Sequence, residues 1–123
     1  MPGKLLHRLL VAPLPYVPKA IVWPLSRRYV AGTTLEDAYR IVSSLEAIGC
    51  SATVDVLGED STRISEVETA RDLYLALLDG IAGKGLNCNA SVKLSDMGLR
   101  FDTDLCYRTL GSSVEKASSL DNF

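Results

Sequence analysis

Histidine is almost absent from this sequence: His7 is the only one, which removes His-based catalytic triads and multi-histidine metal sites. Cysteine is nearly as scarce. Cys50, Cys88 and Cys106 stand 38 and 18 residues apart, with no C-x-x-C and no neighbouring histidine. Neither a disulfide framework nor a zinc site is indicated, and no metal is expected. Three thiols in a reducing cytoplasm are the simplest reading. Long apolar runs are lacking too, because Pro13, Pro15, Pro18, Pro24 and basic residues interrupt every stretch that could approach the roughly 18 to 20 residues of a membrane-spanning helix. No compact apolar segment with a small-residue cleavage site opens the chain, so no secretory signal is expected. Glycine fingerprints for nucleotides are missing. No G-x-G-x-x-G occurs, and Gly80–Gly85 contains Gly-Lys without the P-loop spacing or a following Ser/Thr.

What is present has the make-up of an ordinary globular chain: 123 residues, 47% hydrophobic and 23% charged. A formal net charge of −2 and a pI near 5.3 argue against general binding to nucleic acid phosphates. The charge is unevenly spread. Residues 1–30 hold Lys4, Arg8, Lys19, Arg27 and Arg28 and no acid, whereas the rest holds eight bases and fifteen acids. We therefore divide the chain into a basic helical arm, 1–32, and an acidic body, 33–123. The arm lacks acids as a mitochondrial transit peptide does, but it is poor in serine and rich in proline, which argues against that role. Its second piece, from Pro18 to Tyr29, opens on a proline suited to a helix start. It reads as a packing arm, with contact to anionic lipid as the sharper alternative. A cytoplasmic location is expected, with the inner face of the membrane as the place of any peripheral contact.

From Thr34 onward the periodicities are clear. Thr34 can cap a helix, with Asp37 three residues on. Leu35, Ala38, Ile41, Val42, Leu45 and Ile48 then recur at helical spacing until Gly49. Ser51 to Val56 alternates as a strand, with Ala52, Val54 and Val56 on one face. A loop over 57–61 leads to a long helix whose stripe is Ile64, Val67, Ala70, Tyr74, Leu77, Leu78 and Ile81, broken by Gly80, Gly83 and Gly85. Cys88 to Leu94 alternates again, with Ala90, Val92 and Leu94 together. After a loop over 95–100, a last helix starts near Asp102 and turns Leu105, Cys106, Thr109, Leu110, Val114 and Ala117 inward. Two strands joined through a helix of this length run parallel, a βαβ unit. Each strand keeps one polar face, which suits a barrel better than a sheet covered by helices on both sides.

Parallel βα architectures place chemistry at the C-terminal edge of the strands. There the polar faces end on Asp55 and Lys93, with Glu59 in the loop just beyond, after Gly58. A lysine among carboxylates stays protonated and can grip a substrate carboxylate. A structural salt bridge closing the strand ends is the plainer reading of the same residues.

Three strings carry a resemblance. Arg27-Arg28-Tyr29-Val30-Ala31-Gly32 with Thr34-Leu35-Glu36-Asp37-Ala38, then Asp55-Val56-Leu57-Gly58-Glu59, then Ser91-Val92-Lys93-Leu94-Ser95-Asp96-Met97-Gly98-Leu99, resemble in order and spacing the N-terminal part of bacterial-type proline dehydrogenases. The resemblance implies a distorted (βα)8, TIM-like barrel, of which this chain would form an incomplete first portion with two parallel strands and flanking helices. It further implies noncovalent FAD, oxidation of L-proline to 1-pyrroline-5-carboxylate, and transfer of electrons to a membrane quinone. By resemblance Lys93 helps bind the proline carboxylate, Glu59 helps orient a carboxylate-gripping arginine from a later segment, and Asp55 gives supporting electrostatics beside Lys93.

A (βα)8 barrel takes about 250 residues, and the family's third strand and later flavin and substrate contacts have no counterpart among these 123. No FAD ligand carries over, so an inactive fragment is the expectation for the isolated chain. Two other readings fit the strand pattern. One is a Schiff-base lysine enzyme, against which Asp55 and Glu59 argue because they favour a protonated lysine. The other is a half-barrel interaction module completed by a second polypeptide.

Overall fold

A computed structural model of the chain describes residues 13, 16–27, 29–58 and 60–122. It is a mixed α/β structure of four helices and a two-stranded parallel sheet among the described residues. The chain divides into two compact units, Met1–Gly32 and Thr33–Phe123.

In the first unit the described helix is α1, Lys19–Ser26. Pro18 stands just outside it as N-cap, where its fixed φ of −57° suits the entry and its missing N–H leaves no bond unmade. Pro24 lies within the last turns. Ile21, Val22 and Trp23 are exposed.

The second unit follows the expected order: α2 (Leu35–Glu46), β1 (Ala52–Asp55), α3 (Ile64–Lys84), β2 (Cys88–Ser91) and α4 (Thr103–Ser119). Thr34 caps α2 by accepting the Asp37 N–H at 3.2 Å, while its hydroxyl donates to the Asp37 carboxylate at 2.9 Å. The Arg40 guanidinium beside Asp37, followed by the Thr34 hydroxyl, holds that carboxyl below its ordinary range. Gly49 ends the segment at φ +80°, and the Cys50 N–H returns to the Leu45 carbonyl.

The β1 and β2 strands pair in register, Ala52 with Cys88 through Asp55 with Ser91. Both are shorter than the alternation predicts. Pairing stops where the chain turns into the next loop, so Val56, Val92 and Leu94 extend the pattern without a ladder partner. The helices cover one face of the sheet. Tyr39 and Val42 of α2, Tyr74, Leu77 and Ile81 of α3, Cys88, Met97 and Cys106 form the buried cluster, with Ala52, Val54, Val56, Ala90 and Val92 packed against it. A fully buried aliphatic side chain contributes about 1.5 to 3 kcal/mol, so this one-sided layer is what stabilises the unit. Thr53 and Asn89 lie opposite each other on the other face, where the Thr53 hydroxyl donates to the Asn89 side-chain oxygen at 2.7 Å.

Four sequence expectations shift. Gly80 and Gly83 do not break α3; the helix runs on to Lys84, and Gly85 at φ +63° is the stop. Gly80 is kept for space, because a Cβ there would lie 1.9 Å from the Tyr39 hydroxyl oxygen. Tyr39 uses that space to donate towards the Ala76 and Leu77 carbonyls at 3.2 and 3.4 Å. Ile64 is exposed because it sits in the first turn, beyond the reach of the sheet, and Leu94 because it has left the strand. On α4 the inward face is Cys106, Thr109 and Ser113, with Val114 turned out, so the small Ser113 rather than the larger apolar side chain meets the neighbouring layer.

Candidate functional site

The C-terminal edge of the sheet gathers the charges. Lys93 stands two residues past Ser91, on the polar face and diagonal to Asp55, since Asp55 and Ser91 are paired. Its Nζ lies 3.2 Å from Asp55 Oδ2, with both side chains about 40% exposed. An ion pair this open is worth at most about 1 kcal/mol to stability. The pair therefore does little to hold the fold, and the ammonium is within reach of a solute. Glu59, the third sequence-predicted residue, lies outside the described residues.

The loops after the two strands are tied together. Ser61 donates its N–H to the Ser95 carbonyl at 3.2 Å and its hydroxyl to the Asp96 carbonyl at 2.7 Å, and Ser61 is buried. Asp60 pairs with Arg100 across the same junction. The segment after Lys93 winds through a compact turn closed by Gly98 at φ +89°, and Met97 within it is fully buried. Lys93 thus leaves the strand on a backbone whose next four residues are anchored.

Two buried polar atoms at this edge, Asp96 Oδ1 and the Tyr74 hydroxyl oxygen, have no hydrogen-bond partner among the described residues. The Asp96 carboxyl is one: Asp96 is 3% exposed, its Oδ1 is unpartnered, and Oδ2 lies where a Cβ at Gly58 would come within 2.7 Å. Burial pushes its pKa above the ordinary carboxylate value; Lys93 works against that rise, and Asp60 and Asp55 add to it. Tyr74 is the other. Its hydroxyl approaches the Lys93 backbone without completing a hydrogen bond, and burial pushes its pKa up, with Asp96 and Asp55 adding to the rise. An open depression of about 620 Å³ runs alongside, lined by Val56 to Gly58, Ser61, the first turns of α3 and Asp96.

Sequence reasoning missed Asp96, Ser61 and Tyr74. Asp96 follows the end of the alternation, where the pattern says only loop. Tyr74 was legible as a core position, but the placement of its hydroxyl beneath a strand end depends on how α3 crosses the sheet. The glycine of Asp55-Val56-Leu57-Gly58-Glu59 was the one available signal, since a glycine without positive φ usually marks a close approach.

The chain is 32% identical over 96 residues to proline dehydrogenase 1 of Bacillus subtilis (strain 168), which is 78% of this chain and 32% of that protein. It is 31% identical over 77 residues to a proline dehydrogenase of Deinococcus radiodurans, covering 63% of this chain and 25% of the relative. The chain is a relative of the proline dehydrogenases. Proline dehydrogenase 2 of Bacillus subtilis (strain 168) matches at 28% over 93 residues. The chain spans between a quarter and a third of the length of these relatives. No protein-family model matches it.

The helix starts at this edge are not free to take the phosphates of a flavin dinucleotide. Helix N-termini are the usual seat of its phosphates, and both helices that start at this edge are closed by the chain's own carboxylates. Glu66 accepts from the Thr62 and Arg63 N–H groups at 2.8 and 3.2 Å ahead of α3, an interaction that together with Arg63 keeps its carboxyl below the ordinary range. Asp102 accepts from the Leu105 N–H at 2.8 Å ahead of α4. Among the described residues there is no cluster of His, Cys, Asp and Glu placed to hold a metal ion, and no helix long and apolar enough to cross a membrane.

Proposed function

We propose that these residues are the first portion of a proline dehydrogenase barrel and supply one side of its substrate site. In this reading the two strands are the first two of a (βα)8 barrel, the polar face of Thr53, Asp55, Asn89 and Lys93 looks into it, and L-proline is oxidised to 1-pyrroline-5-carboxylate. The observation that carries the reading is Lys93. It is a half-exposed ammonium at the C-terminal edge of a parallel strand, held by an exposed carboxylate too weakly bound to exclude a competitor.

An entering proline carboxylate displaces the Asp55 carboxylate from part of the ammonium and takes a charge-assisted hydrogen bond of about 2.7 to 2.9 Å. Asp55 remains beside the ammonium, and Glu59 is placed by resemblance to orient an arginine from a later segment. Such a grip fixes the ring's position, and positioning is the contribution this chain's residues can make to the reaction. FAD is the family's redox group, and residues other than those described would hold it. Electrons pass to a quinone in this reading. The exposed Ile21, Val22 and Trp23 of α1, beside the basic Lys19 and Arg27, have the make-up of a segment that lies on an anionic membrane surface.

The test is a titration of the chain with L-proline followed at the Lys93 Nζ signal by NMR. A saturable shift is expected, lost in Lys93→Met, with no flavin absorbance in the purified chain. Trapping of a keto acid on Lys93 by borohydride would instead establish a Schiff-base lysine and sink the carboxylate grip.

A further inference from the structure

The sheet ladder does not reach Lys93. The last ladder pair is Asp55 with Ser91, so Lys93 stands two residues beyond it. Its ion pair with Asp55 is open and weak, and so is the pair of Asp60 with Arg100 across the same junction. Two exposed pairs of this kind do not hold a backbone in one place.

The turn after Lys93 is closed by its own hydrogen bonds: the Lys93 carbonyl accepts the Asp96 N–H at 3.1 Å, and the Leu94 carbonyl accepts the Met97 N–H at 3.2 Å. Burial of Met97 keeps the turn against the core, but an apolar contact has no direction and sets no register. Ser61 supplies the direction. Its N–H donates to the Ser95 carbonyl at 3.2 Å and its hydroxyl to the Asp96 carbonyl at 2.7 Å. Because Ser61 is buried, water competes poorly for either bond. Ser61 is itself fixed, since the neighbouring Thr62 and Arg63 give their N–H groups to Glu66 at the start of α3. Both acceptors are main-chain carbonyls. The two bonds therefore set where the backbone of the turn lies, whatever side chains it carries.

We propose that Ser61 is a positioning residue for Lys93: it fastens the turn that follows Lys93 to the start of α3, and so holds the ammonium beside Asp55 where the substrate carboxylate arrives. The proposal rests on the reading that Lys93 grips that carboxylate. Without the hydroxyl, the Asp96 carbonyl loses its donor and the turn gains other placements. Lys93 is then out of position for part of the time, and affinity falls with the fraction that remains competent.

The experiment compares the parent chain with Ser61→Ala, Ser61→Thr and Val42→Ala by NMR, with urea denaturation giving the global stability of each. Val42 is buried in α2 and belongs to neither loop. Ser61→Ala is expected to weaken the Lys93–Asp55 side-chain NOE and to lower L-proline affinity at Lys93 Nζ about fivefold, the population change that one hydrogen bond sets. Ser61→Thr keeps the hydroxyl, and because Ser61 borders the open depression its methyl has room, so it should restore both. Val42→Ala should lose stability and change neither. If Ser61→Ala keeps the parent NOE and affinity, if Ser61→Thr behaves as Ser61→Ala, or if Val42→Ala lowers both as much, the proposal is overturned. Should Ser61→Ala fail to fold, amide exchange of the parent decides. The Ser61 and Asp96 amides are expected to open together, and a Ser61 amide that exchanges freely while Asp96 stays protected overturns the clamp. If proline moves nothing in the parent while the NOE is present and is lost in Ser61→Ala, the substrate reading fails and the placement of Lys93 by Ser61 stands.

Discussion

Alanine at position 80 is expected to destabilise the chain by about 1 to 3 kcal/mol, the usual cost of forcing extra volume into a packed layer. Two effects oppose each other. Alanine is favoured over glycine inside a helix by roughly 1 kcal/mol, and Gly80 lies well inside α3. The new Cβ, however, would stand 1.9 Å from the Tyr39 hydroxyl oxygen and 2.2 Å from its Cζ. Neither atom is the free end of a flexible chain, since Tyr39 is 5% exposed and its hydroxyl is directed at the Ala76 and Leu77 carbonyls. The ring must move, and the α2–α3 contact opens with it. Sterics therefore decide the sign. Gly83→Ala is the control: nothing lies within 4 Å of its added Cβ, so it should show only the propensity gain. Urea denaturation of both variants checks the contrast, and a Gly80→Ala chain at least as stable as the parent would refute the close approach. Tyr39→Leu in the Gly80→Ala background should recover part of the loss, a coupling between neighbours that independent sites would not show.

Met97→Ala is expected to cost about 2 to 5 kcal/mol, the range for deleting a fully buried side chain without refilling the space. Met97 is 0% exposed although it lies in a turn rather than in a helix or strand. It is the plug by which the segment after Lys93 is held against α3 and α4. Its loss should therefore show locally as well as globally. Amide exchange over 94–101 should speed up more than exchange in α2, because the turn loses its anchor while α2 keeps Tyr39 and Val42 in the core. Equal acceleration throughout would mean that Met97 contributes to the core as a whole and does not specifically seat the Lys93 segment. The anchoring bears directly on the site, since Asp96 and Ser61 are held to the same turn.

Much of the unit was legible because its signals are local. The spacing of Leu35, Ala38, Val42 and Leu45 sets the inner face of α2 whatever surrounds it, and Thr34 starts that helix through a hydrogen bond three residues away. The alternation of Ala52, Val54 and Val56 against Thr53 and Asp55 puts opposite faces of β1 in opposite environments. From that alternation alone Asp55 and Lys93 fall at the same end of parallel strands, and the structure has them 3.2 Å apart.

What could not be read depends on distances between segments remote in sequence. Gly80 reads as a helix breaker until Tyr39, 41 positions earlier, is known to occupy its missing side chain. Asp96 reads as an ordinary loop acid until Gly58 and the turn around Met97 close over it. Ser61 reads as one more loop serine until its hydroxyl meets the Asp96 carbonyl. The sequence by itself determined the order of helices and strands, the parallel pairing and the residues presented at the strand ends, because periodicity and capping act within a few residues. Only the tertiary structure decided which of those acids is exposed and paired and which is buried and unpaired. Burial is a property of the assembled layers, and it is burial that separates the chemistry of Asp55 from that of Asp96.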